Sequence, residues 1–325
     1  MKNQLTMVFI LTSFLLTSSA LAQDCSKGLR LFEHHAGTGC IPADPQRIVT
    51  LTDINALLPL MTELGVTPVA SAGHIDDSGD QIFRRMGAYD TSSIEWVGTY
   101  GSPDPEAVAA QNPDLIIGSP YPETNYEIFS KIAPTVILDM FEYPADDTLL
   151  MLADAVNRTE RAREQQTELE AVAEGVRETL GADFERTTLS IIATQDTDRT
   201  FYRMEPQGGW GVIREYLDPT MTPPERPLDP ENPYERITYE ALPEHAADVM
   251  FLVTWDHDET GHSAIFEDFL ADPLVQALPV AQASKIFNIE GQKAGGFSWT
   301  GIGHGLERIA EVVTRDDLNR DLVVE

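Results

Sequence analysis

The feature that most constrains this chain is residues 146–180: 35 residues with no proline and one glycine, Gly175, rich in Ala, Glu, Arg, Gln and Leu. Such residues lose little on entering a helix. The run therefore predicts one long helix or two abutting ones, strongest over 159–180. It interrupts a different pattern that occurs on both sides of it.

Before the run, short apolar stretches with strand character alternate with helical ones. Residues 47–51, 66–72, 96–97, 115–118 and 135–140 read as strands, and 54–64, 105–111 and 126–132 as helices, with Asp53 as a candidate N-cap and Gly65 as a stop. After the run come strands at 189–194, 201–204, 249–255 and 286–289, helices at 210–217, 265–270 and 304–314, and a proline-rich loop at 219–233. Alternation of this kind makes a mostly parallel sheet. The expected fold is α/β, two Rossmann-like α/β lobes joined by a long rigid α-helix. The divisions are 23–142 for the N-terminal lobe, 143–181 for the connecting helix and 182–325 for the C-terminal lobe. Ligands of open α/β sheets bind outside the carboxyl ends of the strands, so two such lobes imply a crevice between them, and a stiff connector limits closure to a small rocking motion.

The first 22 residues differ from the rest. Lys2 precedes an apolar stretch over 5–16, and Ala20-Leu21-Ala22 supplies the small residues of a signal-peptidase site. This reads as a cleaved secretory signal, too short to span a bilayer, and directs the chain to the periplasm. Cys25 stands three residues beyond Ala22, which argues against a lipid-anchored cysteine. The chain has two cysteines, Cys25 and Cys40. In an oxidising compartment they are expected to pair, closing a loop worth about 3 kcal/mol in chain entropy.

Lys and Arg total 22 against 53 Asp and Glu, a formal net charge of -31. That field repels phosphate backbones and anionic headgroups, so no nucleic acid is expected as a partner. The acidity suits either a carboxylate-rich surface kept hydrated in saline surroundings or simply an acidic periplasmic protein.

Several segments occur in a recognisable order. They are Gly39-Cys40-Ile41-Pro42-Ala43-Asp44-Pro45-Gln46-Arg47-Ile48-Val49, Leu64-Gly65-Val66-Thr67-Pro68-Val69-Ala70, Pro105-Glu106-Ala107-Val108 through Asn112-Pro113-Asp114-Leu115-Ile116-Ile117-Gly118, and Ile237-Thr238-Tyr239-Glu240-Ala241-Leu242. Together they resemble the periplasmic binding proteins of ferric-siderophore and cobalamin ABC importers, over essentially the whole mature chain. The resemblance implies no enzymatic activity, no directly bound cofactor, iron carried as a siderophore chelate, and delivery to an ABC permease dimer by a monomer. It also implies that Glu106 and Glu240, one on each lobe, dock into the permease. Each is at a helix start, where a carboxylate also favours the helix dipole.

A ferric chelate carries polar or anionic oxygens and exposes aromatic or alkyl edges, so its pocket calls for arginines and aromatic faces. Loops at strand ends offer Tyr100, Arg84, Arg85, Tyr121, Tyr202, Arg203, Trp210, Trp255 and Trp299. Lysine numbers only four after residue 22, so most of the positive charge is arginine. The family often places an arginine before the aromatic that opens the second lobe's first helix. Here that stretch reads Gln207-Gly208-Gly209-Trp210-Gly211, and Arg203 is the upstream substitute.

Other readings of the same fold are a haem or cobalamin carrier, with Tyr100 or His257 as axial ligand to haem, and a zinc or manganese carrier. The metal reading has one conceivable set, His74, Asp256, His257, Asp258 and His262, which reads better as solvated loop residues. No GxSxG, HExxH or GxxxxGK[ST] motif occurs, and Gly301-Ile302-Gly303-His304-Gly305 reads as a helix start rather than a nucleotide loop.

Overall fold

The structure, a computed structural model, describes residues 25–53, 57–76, 78–86, 89–120, 124–139, 145–184, 187–194, 200–203, 208–217, 220–221, 236–256, 261–294 and 298–313. The signal segment, Tyr121, His257, Asp258 and most of the proline-rich loop lie outside the described residues, as does the side chain of Trp210.

Two sheets organise the chain. In the first, strands run in the order Ser102–Pro103, Glu95–Thr99, Ala70–Ile75, Ile48–Thr50, Leu115–Gly118 and Thr135–Ile137, with Gln81–Ile82 paired to Ala70–Ile75. The last five of that order are parallel. In the second the order is Arg236–Thr238, Thr200–Arg203, Thr188–Thr194, Val249–Thr254 and Ile286–Glu290, with Thr220–Met221 beside Thr188–Thr194. Its parallel part is Thr188–Thr194, Val249–Thr254 and Ile286–Glu290. Thr200–Arg203 departs from the expected series by running antiparallel. The five residues before it are too few for a parallel crossover, which needs a dozen or more, so only a hairpin-type return is possible. The protein is two α/β lobes.

Strand periodicity shows where the cores lie. Leu189, Ile191 and Ala193 bury into one mass with Val249, Phe251 and Val253, whereas Ile192, Met250 and Leu252 join a separate cluster on the sheet's other face. The first lobe repeats the logic, with Ile48, Leu115 and Ile117 on one side and Val49, Leu51 and Ile116 on the other. Sheets covered on both faces need near-continuous apolar strands, as these are. One cluster is shared: it contains the inner faces of both sheets together with the connector.

The connector is two helices, Ala145–Ala155 and Thr159–Phe184. The break is an asparagine cap. Asn157 adopts φ 58°, its N–H reaches Asp154 O at 3.0 Å, and the Arg158 N–H reaches Ala153 O at 2.7 Å. That pairing closes the last turn in the manner usual for glycine. Helical geometry in the second helix fails at Gly181, φ 65°. Its buried stripe, Ala162, Gln165, Leu169, Ala173, Val176 and Leu180, recurs every three or four residues and packs on the last helix, Trp299–Val313, through Ile302, Leu306, Ile309 and Val312. This last helix begins earlier than the sequence suggests because Ser298 caps it, its Oγ accepting from Gly301 N–H at 3.1 Å. The strand expected from Val66 begins instead at Ala70, because Val66 donates its N–H to Met61 O and is spent on closing the preceding helix. Among the described residues no helix is long and apolar enough to cross a membrane.

A hairpin with no clear signature in the sequence, Leu29–His34 with Gly37–Pro42, covers the Thr135–Ile137 edge of the first sheet. The Cys25–Cys40 disulfide ties its base, as expected. Edge strands need cover, and a histidine supplies part of it. His35 N–H donates to Ile137 O at 3.0 Å, while Ile137 N–H donates to His34 Nδ1 at 3.4 Å, so an imidazole stands in for a backbone acceptor. Burial, and secondarily the neighbouring His35, lowers the His34 pKa from its ordinary 6.5. A lowered histidine pKa favours the neutral ring in the folded state. Its contribution to stability is therefore complete above pH 6.5 and is lost as pH falls from there towards the lowered value. Between pH 7.5 and pH 5, His34→Gln, which keeps an acceptor and cannot titrate, is expected to lose less thermal stability than the parent by roughly 2 to 4 °C in Tm. Calorimetric melts at the two pH values measure this, and equal losses in both proteins exclude His34 as the cause.

Candidate functional site

The carboxyl ends of the parallel strands carry the candidate residues. In the first lobe, Asp53 lies just beyond Ile48–Thr50, His74 is in Ala70–Ile75, Arg84 and Arg85 follow Gln81–Ile82, and Tyr100 follows Glu95–Thr99. In the second, Trp255 and Asp256 follow Val249–Thr254, and Gly291 follows Ile286–Glu290. One contact between these strand ends joins the lobes, Arg85 with Trp255.

Asp53 is fully buried and Arg84 takes both its oxygens; the start of the helix that Asp53 was expected to cap lies outside the described residues. Arg84 Nε donates to Oδ2 at 3.1 Å and its Nη2 to Oδ1 at 2.7 Å, and the Arg84 backbone N–H adds a third bond to Oδ2 at 2.8 Å. A two-pronged carboxylate grip of this kind holds the guanidinium plane as well as its charge. The plane lies over the Tyr100 ring, Cζ to centroid 4.5 Å, and Tyr100 is itself held by its N–H to Gly73 O at 2.8 Å. His74 is also near Tyr100, with ring centroids 6.3 Å apart. Among the described residues the second Nη of Arg84 meets no hydrogen-bond acceptor, so a pre-oriented donor is presented at the crevice. Phe83 and Trp96, 5.7 Å apart, wall the same lobe, and Gly73 makes room for them: a Cβ there would sit 2.3 Å from Trp96.

Arg85 goes the other way. Its φ of 62° is left-handed, a conformation that costs a non-glycine residue about 1 kcal/mol. The reversal sends its guanidinium across the crevice to Trp255, Cζ to ring centroid 4.8 Å. Trp255 lies against Gly291, where a Cβ would come within 2.6 Å of the indole, so the absence of a side chain there seats the ring. The structure therefore brings Arg84, Arg85, Tyr100 and Trp255 together as one constellation spanning both lobes.

Other residues nominated by the sequence sit elsewhere. Tyr202 accepts a hydrogen bond from Arg236 Nε at 3.1 Å, and its strand is separated from that of Trp255 by Thr188–Thr194. Arg203, its neighbour, is wholly buried. Trp299 is 3% exposed and belongs to the shared core, where it starts the last helix. Glu106 and Glu240 are both exposed on short helices. For Glu106 the capping role is already filled: Asp104 accepts from the Glu106 and Ala107 N–H groups.

The conceivable metal set is dispersed. His74 faces Tyr100 in the first lobe, and His262 pairs with Glu267 at 2.9 Å. Asp256 is committed to a polar network: burial pushes its pKa up, but the Ser263 hydroxyl and the Ile265 N–H outweigh burial and hold it below the usual carboxylate range. Ser263 in turn accepts from Thr254 and caps helix Ala264–Ala271. Among the described residues no three His, Cys, Asp or Glu side chains converge as metal ligands. A groove of about 670 Å³ along the edge of Ile286–Glu290 is a separate feature. Its cations are paired locally, Lys293 with Glu290 and Arg308 with Glu311, each at 2.7 Å.

Sequence reading missed Asp53 as the partner of Arg84, and the two glycines that seat the tryptophans. The available signal was Asp53 itself, an acid at the end of an apolar strand, which reads equally well as a helix cap.

Comparison with known proteins gives the family. The model of a periplasmic binding protein family matches residues 48–292. The probable siderophore-binding lipoprotein YfiY of Bacillus subtilis is 27% identical over 274 residues, covering 79% of this chain and 81% of that protein. The Fe(3+)-citrate-binding protein YfmC of the same organism is 25% identical over 272 residues, covering 82% and 79%. Among solved structures, the triscatecholate siderophore binding protein FeuA of Bacillus subtilis, complexed with ferri-bacillibactin, superposes with a TM-score of 0.70 at 16% identity, over 89% of this chain and 99% of that one. With two α/β lobes, candidate residues at the strand ends of both and a family match over most of its length, the chain belongs to the periplasmic binding protein family.

Proposed function

We propose that this protein is the substrate-binding component of an ABC importer, and that it carries a ferric siderophore between its lobes to an inner-membrane permease without acting on it chemically. The observation that carries this reading is the Arg84 guanidinium, fixed by Asp53 and stacked on Tyr100, with its neighbour Arg85 reaching Trp255 of the second lobe. A chelate's anionic oxygens meet guanidinium donors whose orientation is set before binding, and its apolar edges meet indole and phenol faces. The relatives named for siderophore and Fe(3+)-citrate binding support the same cargo. In this reading Arg84, Arg85, Tyr100 and Trp255 contact the chelate, and Tyr202, Arg203 and Trp299 serve the second lobe's packing.

The lobes divide at 23–142 and 182–325 about a connector at 143–181, a division supported by the placement of the two sheets. Export proceeds through a signal cleaved after Ala22. The Cys25–Cys40 bond supports a mature chain that carries no lipid on Cys25. Glu106 and Glu240 are the docking contacts on the permease, a role supported by their exposure and their matching positions at helix starts in the two lobes.

Tryptophan fluorescence of the mature chain, titrated with ferric catecholate, hydroxamate and carboxylate chelates and with haem and cobalamin, tests the cargo. Saturable quenching by at least one ferric chelate is expected. Quenching by haem or cobalamin alone, or stoichiometric zinc uptake with no chelate bound, overturns it. Arg84→Gln is expected to weaken the preferred chelate about 10- to 100-fold, and Asp53→Asn by about 10-fold through loss of the clamp. Unchanged affinity in Arg84→Gln removes Arg84 from the site. The Glu106→Ala/Glu240→Ala double variant is expected to bind chelate normally and to abolish uptake in transport assays. Normal uptake by that variant refutes the docking role.

A further inference from the structure

We infer that Arg85 and Trp255 form a latch between the lobes that sets how far the mouth of the crevice opens. The connector joins the lobes at their shared core, through the buried stripe of Thr159–Phe184 and its packing on Trp299–Val313. Contacts on that side stiffen the hinge but leave the spacing of the strand ends to whatever reaches across. Arg85 is in the first lobe, between Gln81–Ile82 and Glu95–Thr99, and Trp255 is at the end of a central strand of the second. Their contact, at 4.8 Å, bridges the two.

Both halves of the latch are built in advance. On one side, three hydrogen bonds from Arg84 to Asp53 fix the backbone immediately before Arg85, and Met86, 3% exposed, anchors it immediately after. Between these anchors the left-handed turn at Arg85 points adjacent arginines at different lobes. On the other side, Gly291 leaves room for the indole to lie flat against the backbone. A strained turn and a glycine seat on opposite lobes, meeting in one contact, indicate that the contact is specified.

The chemistry also suits an acidic protein. Arginine stays charged across the physiological range, so the latch does not titrate as a histidine–carboxylate contact would. A guanidinium on a neutral ring interacts at short range, whereas an exposed ion pair at the same place weakens as salt screens it. The inference does not depend on the identity of the cargo.

The test uses the mature chain with its disulfide intact and no chelate added. Spin labels are placed on cysteines introduced at Ser130 in the first lobe and Gln282 in the second, both exposed, and inter-label distances are read by double electron–electron resonance. Arg85→Asn removes the guanidinium while tolerating the left-handed backbone, and Trp255→Leu removes the ring. Each variant, and the double variant, is expected to give the same longer and broader distance distribution, with far-ultraviolet circular dichroism unchanged. The latch is overturned if either single variant leaves the parent distribution intact, or if the two effects add in the double variant, which would mean that they act separately. Should Trp255→Leu fail to fold, Trp255→Phe, with a weaker ring face, is expected to give a distribution between those of the parent and Arg85→Asn; coincidence with the parent overturns the latch. Because no chelate is present, failure here leaves the proposed cargo standing, and failure to bind any chelate leaves the latch measurable.

Discussion

The apolar stripe on the second connector helix is the constraint on which the rest of the structure depends. Ala162, Leu169, Ala173, Val176 and Leu180 touch a core that also contains the inner faces of both sheets, so neither lobe has a wholly private interior on that side. Burying side chains of this size is worth about 1.5 to 3 kcal/mol for each large one, and swinging a lobe away from the helix would expose several together. A two-lobed protein joined by flexible strands closes by large hinge motion. One whose lobes share a packed helix is restricted to small rocking, because close-packed cores do not deform continuously.

That stiffness shifts the work of recognition to the strand ends. If the lobes move little, the groups that meet a ligand must already be aimed, and the first lobe aims them by unusual means. The Asp53 carboxylate is buried and spends both oxygens on one guanidinium, a pairing that uses two charges to orient a single donor. As a source of stability a buried pair of this kind is weak, since desolvation offsets much of the attraction. As a positioning device it is effective, because the plane of Arg84, the ring of Tyr100 and the reversal at Arg85 all follow from it. Glycines play the complementary part: Gly73 and Gly291 make room for one tryptophan in each lobe by having no side chain where a methyl would collide.

How much of this was legible in the sequence follows from the range of the forces involved. Helical propensity and apolar runs are local, and they placed the connector, most strands and the α/β class. The hairpin at 29–42 was missed because its pattern is weak: Gly37 and Gly39 sit in its second strand, and Leu29 and Leu31 of its first face solvent. Strand 200–203 was found, but its direction was set by the length of a loop rather than by its own residues. Within the site, residue type alone nominated Arg84, Arg85, Tyr100 and Trp255. The same criterion nominated Trp299 and Arg203, which the fold buries. An aromatic or an arginine at a strand end does not announce which face it takes. The pairing of Asp53 with Arg84 spans 31 positions and depends on the strands before them, Ile48–Thr50 and Gln81–Ile82, both pairing with Ala70–Ile75, which only the sheet order decides.

The net charge of -31 raises the question of how an acidic carrier holds an anionic chelate. The range of the forces resolves it. At physiological ionic strength exposed charges are screened beyond about 8 Å, so carboxylates on the outer helices contribute little at the crevice. In the proposed reading, what a chelate meets there is set by groups in contact with it, and those include two arginines on adjacent positions. Asp53 cancels the formal charge of Arg84 but leaves its N–H donors directional, and directional donors discriminate between oxygen arrangements better than a diffuse positive field does. In the proposed reading the outer acidity and the inner guanidinium groups do not compete: the first keeps the surface hydrated and the second recognises the chelate.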